Sequence, residues 1–204
     1  MSEHAITDLA SLEALFGPVA PASVAKEADH LHPVYARWIE SARFALLATG
    51  GPDGFDVSPR GDAGPLVRIV DARTLLLPER RGNNRIDSLR NLVADPRMSL
   101  IFLIPGVGET LRVRGRADIC VDPELLASFA VDGKAPLCVL RIAVDTVFFQ
   151  CARSILRARL WHPHEHDTAD VPTAGAILAA LSAGAIDGDT YDKALPQRQR
   201  ETLY

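Results

Sequence analysis

Between Phe44 and Gln150 the chain breaks into short apolar or alternating runs, each closed by turn-forming residues. Phe44–Thr49 is apolar and short. Gly50-Gly51-Pro52-Asp53-Gly54 is dense in turn formers, and Phe55–Ser58 follows as the return strand, so this stretch predicts a β-hairpin. Further strands are expected at Leu66–Val70, Thr74–Leu77, Met98–Ile104, Thr110–Asp118, Cys138–Val144 and Thr146–Gln150. Leu111-Arg112-Val113-Arg114 alternates most cleanly and sets one face inward. Many short antiparallel strands with few helices argue for a closed barrel rather than a parallel α/β sheet, because closure leaves no sticky edge. The expected class is α+β, mainly β.

Helices flank this region. Residues 7–16 read as a helix with Thr7 as N-cap and Leu9, Leu12, Leu15 and Phe16 on one face, ended by Gly17-Pro18. A second runs from His32 to Ala42, with Pro33 early and Val34, Trp38 and Ile39 inward. Asn83–Ala94 has helical spacing at Ile86, Leu89, Leu92 and Val93, and Asp95-Pro96 closes it. Pro123–Phe129 is a short helix capped by Asp122. Thr173–Ser182 is amphipathic, followed by Gly-rich and polar residues to Tyr204. A length of 204 residues suits one domain, 1–204, with N-terminal helices over 1–42 and a C-terminal helical tail over 165–204.

Composition excludes several classes. With 48% hydrophobic and 24% charged residues the chain can build a sizeable core. A net charge of −4 disfavours nucleic acid as a partner. Cys120, Cys138 and Cys151 are odd in number, form no CxxC, and sit in or beside apolar runs. They read as small reduced core residues of a cytoplasmic protein. The stretch MSEHAITDLASLEALFG lacks the basic start of a signal peptide. No run approaches the roughly 20 apolar residues of a membrane helix, so no membrane association is expected.

The segment Thr74–Arg90 is the most informative. An apolar strand ends at Pro78; Arg80, Arg81, Gly82, Asn83, Asn84 and Arg85 follow; then a helix opens. Guanidinium groups, a glycine permitting close approach and free N–H groups at a helix start together suit a phosphate. The spacing matches neither a Walker A loop nor a dinucleotide fingerprint. A solvated basic turn is the alternative reading. Against it stands Ser58-Pro59-Arg60-Gly61-Asp62 at the end of the hairpin, with Arg68 beyond Pro65. Neighbouring strands would bring Arg60 or Arg68 to Arg80 and Arg85, and converging arginines need an anion to offset their repulsion.

Other tempting residues receive plainer readings. His162, His164 and His166 with Glu165 read as a solvated loop, and no metal site is expected. His30 and His32 flank a helix start as caps or surface residues. Cys151, beside Arg153, reads as packing, as do Trp38 and Trp161 in the core or an interface. There is no GxSxG elbow.

The runs FALLATGGPDG, SPRGDAG, LLLPERRGNNRIDSLRNLVADPRMSLIFLIPG and GETLRVRGRADI resemble the pyridoxamine 5′-phosphate oxidase-like FMN-binding family. HPVYARWIESARF before them and CARSILRARLW after them extend the likeness over residues 30–165. It is nearest to a bacterial branch with no assigned substrate. The resemblance implies a split β-barrel of Greek-key type with flanking helices, a homodimer, FMN at the subunit interface, and oxidoreductase activity on a small molecule. Arg85 falls where the family places a phosphate-binding basic residue, and Asn84 precedes it at a position that is also usually basic. Pro78 and Glu79 lie at the strand end that passes the ribityl chain. Val67 and Arg68 match the strand with other phosphate and flavin contacts. Thr110 sits where the oxidase has an amide side chain near the flavin. Arg153 and Ser154 fall in a segment contributed by the partner. Ser58, Arg60, Arg80, Arg81 and Asn83 complete the expected cofactor-binding set.

The sequence also departs from the vitamin B6 oxidase. Arg68-Ile69-Val70-Asp71 runs into a turn where that enzyme has a longer motif ending in lysine, and its C-terminal substrate-phosphate signature is absent. FMN is therefore expected, while pyridoxamine 5′-phosphate is not assigned as substrate. A deazaflavin-dependent reductase and a non-catalytic FMN carrier or redox sensor remain as alternatives. No catalytic side chain is nominated, since in flavin chemistry the cofactor carries the reaction.

Overall fold

The computed structural model describes residues 4–162 and 168–204. Seven strands build one antiparallel sheet: β1 (Phe44–Gly51), β2 (Gly54–Gly61), β3 (Arg68–Asp71), β4 (Thr74–Glu79), β5 (Arg97–Leu103), β6 (Thr110–Cys120) and β7 (Cys138–Gln150). Their order is β2-β1-β5-β6-β7-β4-β3. The hairpin is longer than expected, closing at Gly51↔Gly54 around Pro52-Asp53. The two strands expected at Cys138–Val144 and Thr146–Gln150 are one. The polar Asp145 that separates them in sequence is a bulge opposite Arg114/Gly115, where the register shifts. A Cβ at Gly115 would lie 2.2 Å from the Ala143 carbonyl oxygen, so only glycine lets β6 and β7 close there.

The barrel is split, as the resemblance implies. β2 and β3 end the strand order and do not pair with each other. Side chains bridge the seam instead: Arg60 on β2 pairs with Glu79 on β4 at 2.8 Å, and Arg80 with Asp62 at 2.8 Å. The β2–β3 connection is pinned by Leu66, buried in the core, whose N–H donates to the Ala42 carbonyl. Inward residues alternate along the strands, with Leu47, Leu75, Leu77, Leu100, Phe102, Leu111, Val113, Leu140 and Ile142 fully buried.

The helices depart from the sequence reading in informative ways. α1 (Leu9–Phe16) is capped by Asp8, not Thr7, through an acceptor to the Ser11 N–H. α2 (Pro21–Ala25) was not anticipated. In α3 (Pro33–Glu40) Ile39 is buried, but Val34 faces solvent. Tyr35 packs in its place, its hydroxyl donating to the Lys26 carbonyl at 2.5 Å. α4 (Asp87–Ala94) begins four residues later than Asn83, because Asn84 and Ile86 adopt positive φ angles of 59° and 53° that no helix admits. α5 (Pro123–Ala127) carries the expected Asp122 cap. α6 (Arg153–Ala158) went unread. α7 (Ala174–Leu181) is capped by Thr173, and the tail after it contains α8 (Gly188–Glu201), disguised in sequence by Pro196.

All three cysteines are free, but only Cys138 is a core residue; Cys151 is exposed, against expectation. Among the described residues no helix is long and apolar enough to cross a membrane, and no group of three His, Cys, Asp or Glu side chains could hold a metal. His164, Glu165 and His166 lie outside the described residues.

Candidate cofactor cleft

A cleft of about 610 Å³ opens where the ends of β2 and β4 meet the start of α4. Strand alternation aims Asp56, Ser58 and Arg60 of β2 to one side, and β4 contributes Pro78 and Glu79. The connecting loop adds Arg80, Arg81, Gly82, Asn83, Asn84 and Arg85; Leu137, Cys138 and Leu203 close the far wall. Nine of the sequence-derived positions therefore gather in one place: Ser58, Arg60, Pro78, Glu79, Arg80, Arg81, Asn83, Asn84 and Arg85.

Two of these arginines are already committed. Arg60 Nε donates to Glu79 Oε1 at 2.8 Å, and its Nη1 donates to Ser58 Oγ at 2.6 Å. Ser58 Oγ lies 2.9 Å from Ser88 Oγ, which donates to Asp56 Oδ2 at 2.5 Å. Arg80 donates to Asp62 Oδ2 at 2.9 Å and to the Phe129 carbonyl at 2.8 Å, with the Tyr204 ring 5.3 Å from its guanidinium carbon. Tyr204 in turn donates to Asp62 Oδ1 at 2.9 Å. Protein carboxylates thus neutralise Arg60 and Arg80, whose convergence therefore requires no external anion.

The less committed basic side chains lie instead in the loop. Arg81 is exposed and forms no ion pair among the described residues. Arg85 is 75% exposed, and among the described residues its short ion pair is with Asp87, at 2.8 Å, an exposed pair worth little in water. Arg85 does not open the helix; it lies two residues before α4, with its N–H accepted by Asn83 Oδ1 at 3.1 Å. The N-cap position of α4 is Ile86, whose side chain cannot cap, so the first N–H groups of the helix are left to other acceptors. The chain reverses through the positive φ angles at Asn84 and Ile86, not at Gly82.

Five predicted residues lie elsewhere. Val67 is buried in the core. Arg68 donates to Ser128 Oγ and the Ser128 carbonyl and sits 3.8 Å over the Phe129 ring. Thr110 is buried at the start of β6, opposite Gln150. Arg153 and Ser154 are exposed on α6, apart from the cleft.

Sequence reasoning missed Asp56, Asp62, Ser88, Leu137, Cys138, Leu203 and Tyr204. Asp56 was findable, since it shares a strand face with Ser58 and Arg60; Tyr204 was not, because only the fold brings it to Arg80. Burial pushes the Cys138 thiol up to about 11, and the neighbouring Glu79 carboxylate acts in the same direction. It therefore stays protonated and packs rather than attacks.

Fold and cleft together define a split-barrel protein with a polar, arginine-rich site at the seam. Residues 31–151 match the family model described as pyridoxamine 5′-phosphate oxidase, and the chain belongs to that family. No curated protein matches the sequence. Among solved structures, a HupZ variant of Group A Streptococcus is 21% identical, with 59% of this chain and 99% of that chain covered and a TM-score of 0.47. General Stress Protein 26 of Bacillus anthracis is 17% identical over 56% and 88%, with a TM-score of 0.42. An FAD-binding protein of Mesorhizobium loti is 18% identical over 60% and 94%, with a TM-score of 0.41.

Proposed function

We propose that the protein is an FMN-dependent oxidoreductase acting on a small molecule as a homodimer, with the cofactor phosphate seated in the loop of residues 80–86. One observation carries this reading. The cleft joins two weakly committed guanidinium groups, Arg81 and Arg85, to the side-chain amides of Asn83 and Asn84 and to an uncapped helix start. That donor set fits a phosphate, and about 610 Å³ falls within the roughly 300–1,000 Å³ of small-molecule sites. When bound, FMN would supply the two-electron chemistry. The chain's own part is to bind and orient. Arg85, paired in the structure with Asp87, and Arg81 would hold the phosphate, and Pro78 and Glu79 would lie beside the group that follows it. Leu137 and Leu203 line the cleft as apolar, solvent-exposed side chains. An adjoining cavity of about 370 Å³, lined by Arg81, Lys134, Leu137 and Tyr204, offers room for the substrate.

The homodimer reading draws on the exposed apolar side chains of β2, where Phe55 is 95% and Val57 61% exposed.

Titration with FMN and with riboflavin tests the placement. Arg85→Ala is expected to weaken FMN about tenfold or more, the scale of a lost charge-assisted hydrogen bond, and to leave riboflavin unaffected. Equal losses for both ligands would make Arg85 structural. No change for either would make residues 80–86 a solvated basic turn.

A further inference from the structure

Every residue from 4 to 25 is exposed. Within this arm α1 turns Leu9 (74%), Leu15 (68%) and Phe16 (77%) to solvent. A helix of eight residues does not hold in water alone, where roughly 12–15 are needed. Yet α1 is capped at both ends, by Asp8 and by the Gly17 N–H on the Glu13 carbonyl. A helix so delimited and so uncovered needs an external surface, and its own barrel does not supply one.

The root of the arm indicates which surface. Ala28 pairs with Val147 on β7, and Lys26 lies 4.8 Å from the Phe149 ring. Phe148, between them in the chain and on the opposite face of β7, carries the guanidinium groups of Arg112 and Arg114 at 5.4 Å each. Along the same face of β6, Arg114 and Arg116 are exposed and make no ion pair within 4.0 Å among the described residues, although Arg116 lies close enough to Asp95, itself held by Arg97, to act on its carboxylate; Asp118 stands further on. The arm is complementary: between residues 4 and 25 it bears Asp8 and Glu13 and neither lysine nor arginine.

We propose that the arm crosses onto a second copy of the chain, laying the α1 leucines against the Phe148 region of that copy's sheet with Glu13 towards Arg114 and Arg116. The proposal rests on the homodimer reading above and adds that the two copies exchange arms.

A charge-swap mixture tests it. One copy carries Glu13→Arg; the other, separately tagged, carries Arg114→Glu and Arg116→Glu. All three positions are exposed, and thermal unfolding of each variant checks the fold. If arms are exchanged, only the mixed dimer pairs opposite charges at both contacts. Native mass spectrometry of an equal mixture should then give mixed dimers well above the statistical half, and each variant alone should dimerise at least tenfold more weakly than the unaltered chain. Leu12→Glu with Phe16→Glu should weaken the dimer similarly at unchanged barrel stability. Mixed dimers at the statistical half, with each variant dimerising as tightly as the unaltered chain, would overturn arm exchange and leave the dimer standing. An unaltered chain that sediments as a monomer at every concentration would overturn both.

Discussion

Arg60 and Arg85 carry the same guanidinium and do opposite work. Arg60 is 16% exposed and locked to Glu79, itself 13% exposed, where it holds the barrel seam. Removing one member of such a pair strands the other. Glu79→Ala should therefore cost about 2–4 kcal/mol by chemical denaturation, whereas Arg85→Ala should leave the midpoint unchanged. A stability loss at Arg85 as large as at Glu79 would show that the loop is structural and not a binding surface. The cysteines divide by the same logic. With a thiol-specific reagent at pH 8, Cys151 should be modified first. Cys138 should resist until the fold opens, since it is buried and its thiol titrates at about 11.

At the scale of elements, the junctions matter most. The bulge joining β6 to β7 leaves no room for a side chain at Gly115, whose added Cβ would meet the Ala143 carbonyl oxygen at 2.2 Å. Because that obstacle is backbone, Gly115→Ala should cost about 1–3 kcal/mol or more in unfolding free energy; a loss within a few tenths would mean that the bulge yields. The turn from α4 into β5 is fixed by Asp95, which accepts from both the side chain and the N–H of Arg97. The Arg97 guanidinium, chiefly, and then its N–H hold the Asp95 carboxyl down to about 2. The folded value lies below the unfolded value of roughly 3.9. The stabilisation is thus complete above the unfolded value and is lost as pH falls through about 2. The Asp95 carboxyl ¹³C signal should titrate near 2, and Arg97→Ala should move it towards the ordinary carboxylate range.

For the whole molecule, the exposed apolar side chains that bear on assembly here are those of the β2 edge at Phe55 and Val57 and of the arm of residues 4–25. Sedimentation equilibrium should return twice the 22.1 kDa chain mass. Phe55→Glu with Val57→Lys should shift the distribution towards the single chain at unchanged barrel stability. A chain that stays single at millimolar concentration while saturated with FMN would place the whole cofactor site within one copy and refute the dimer reading.

What the sequence by itself determined is local and periodic. Strand alternation, the Pro52-Asp53 turn, the cap at Asp122, and the basic run after Pro78 are each set by residues within a few positions of one another, so one-dimensional reading reaches them. It failed at unusual backbone angles and where distant residues compete for the same group. The helix spacing at Ile86 and Leu89 was genuine, but the left-handed angles at Asn84 and Ile86 delayed the helix and turned Arg85 into a loop residue. The grouping of arginines was legible, but which of them are neutralised was not. Glu79 and Asp62 reach Arg60 and Arg80 only once β2 and β4 lie across the seam from one another. Tyr204 meets Arg80 only when the tail folds back over the cleft. Hydrophobic period and turn chemistry act between near neighbours in the chain, whereas charge pairing acts through space, and only the tertiary fold decided it.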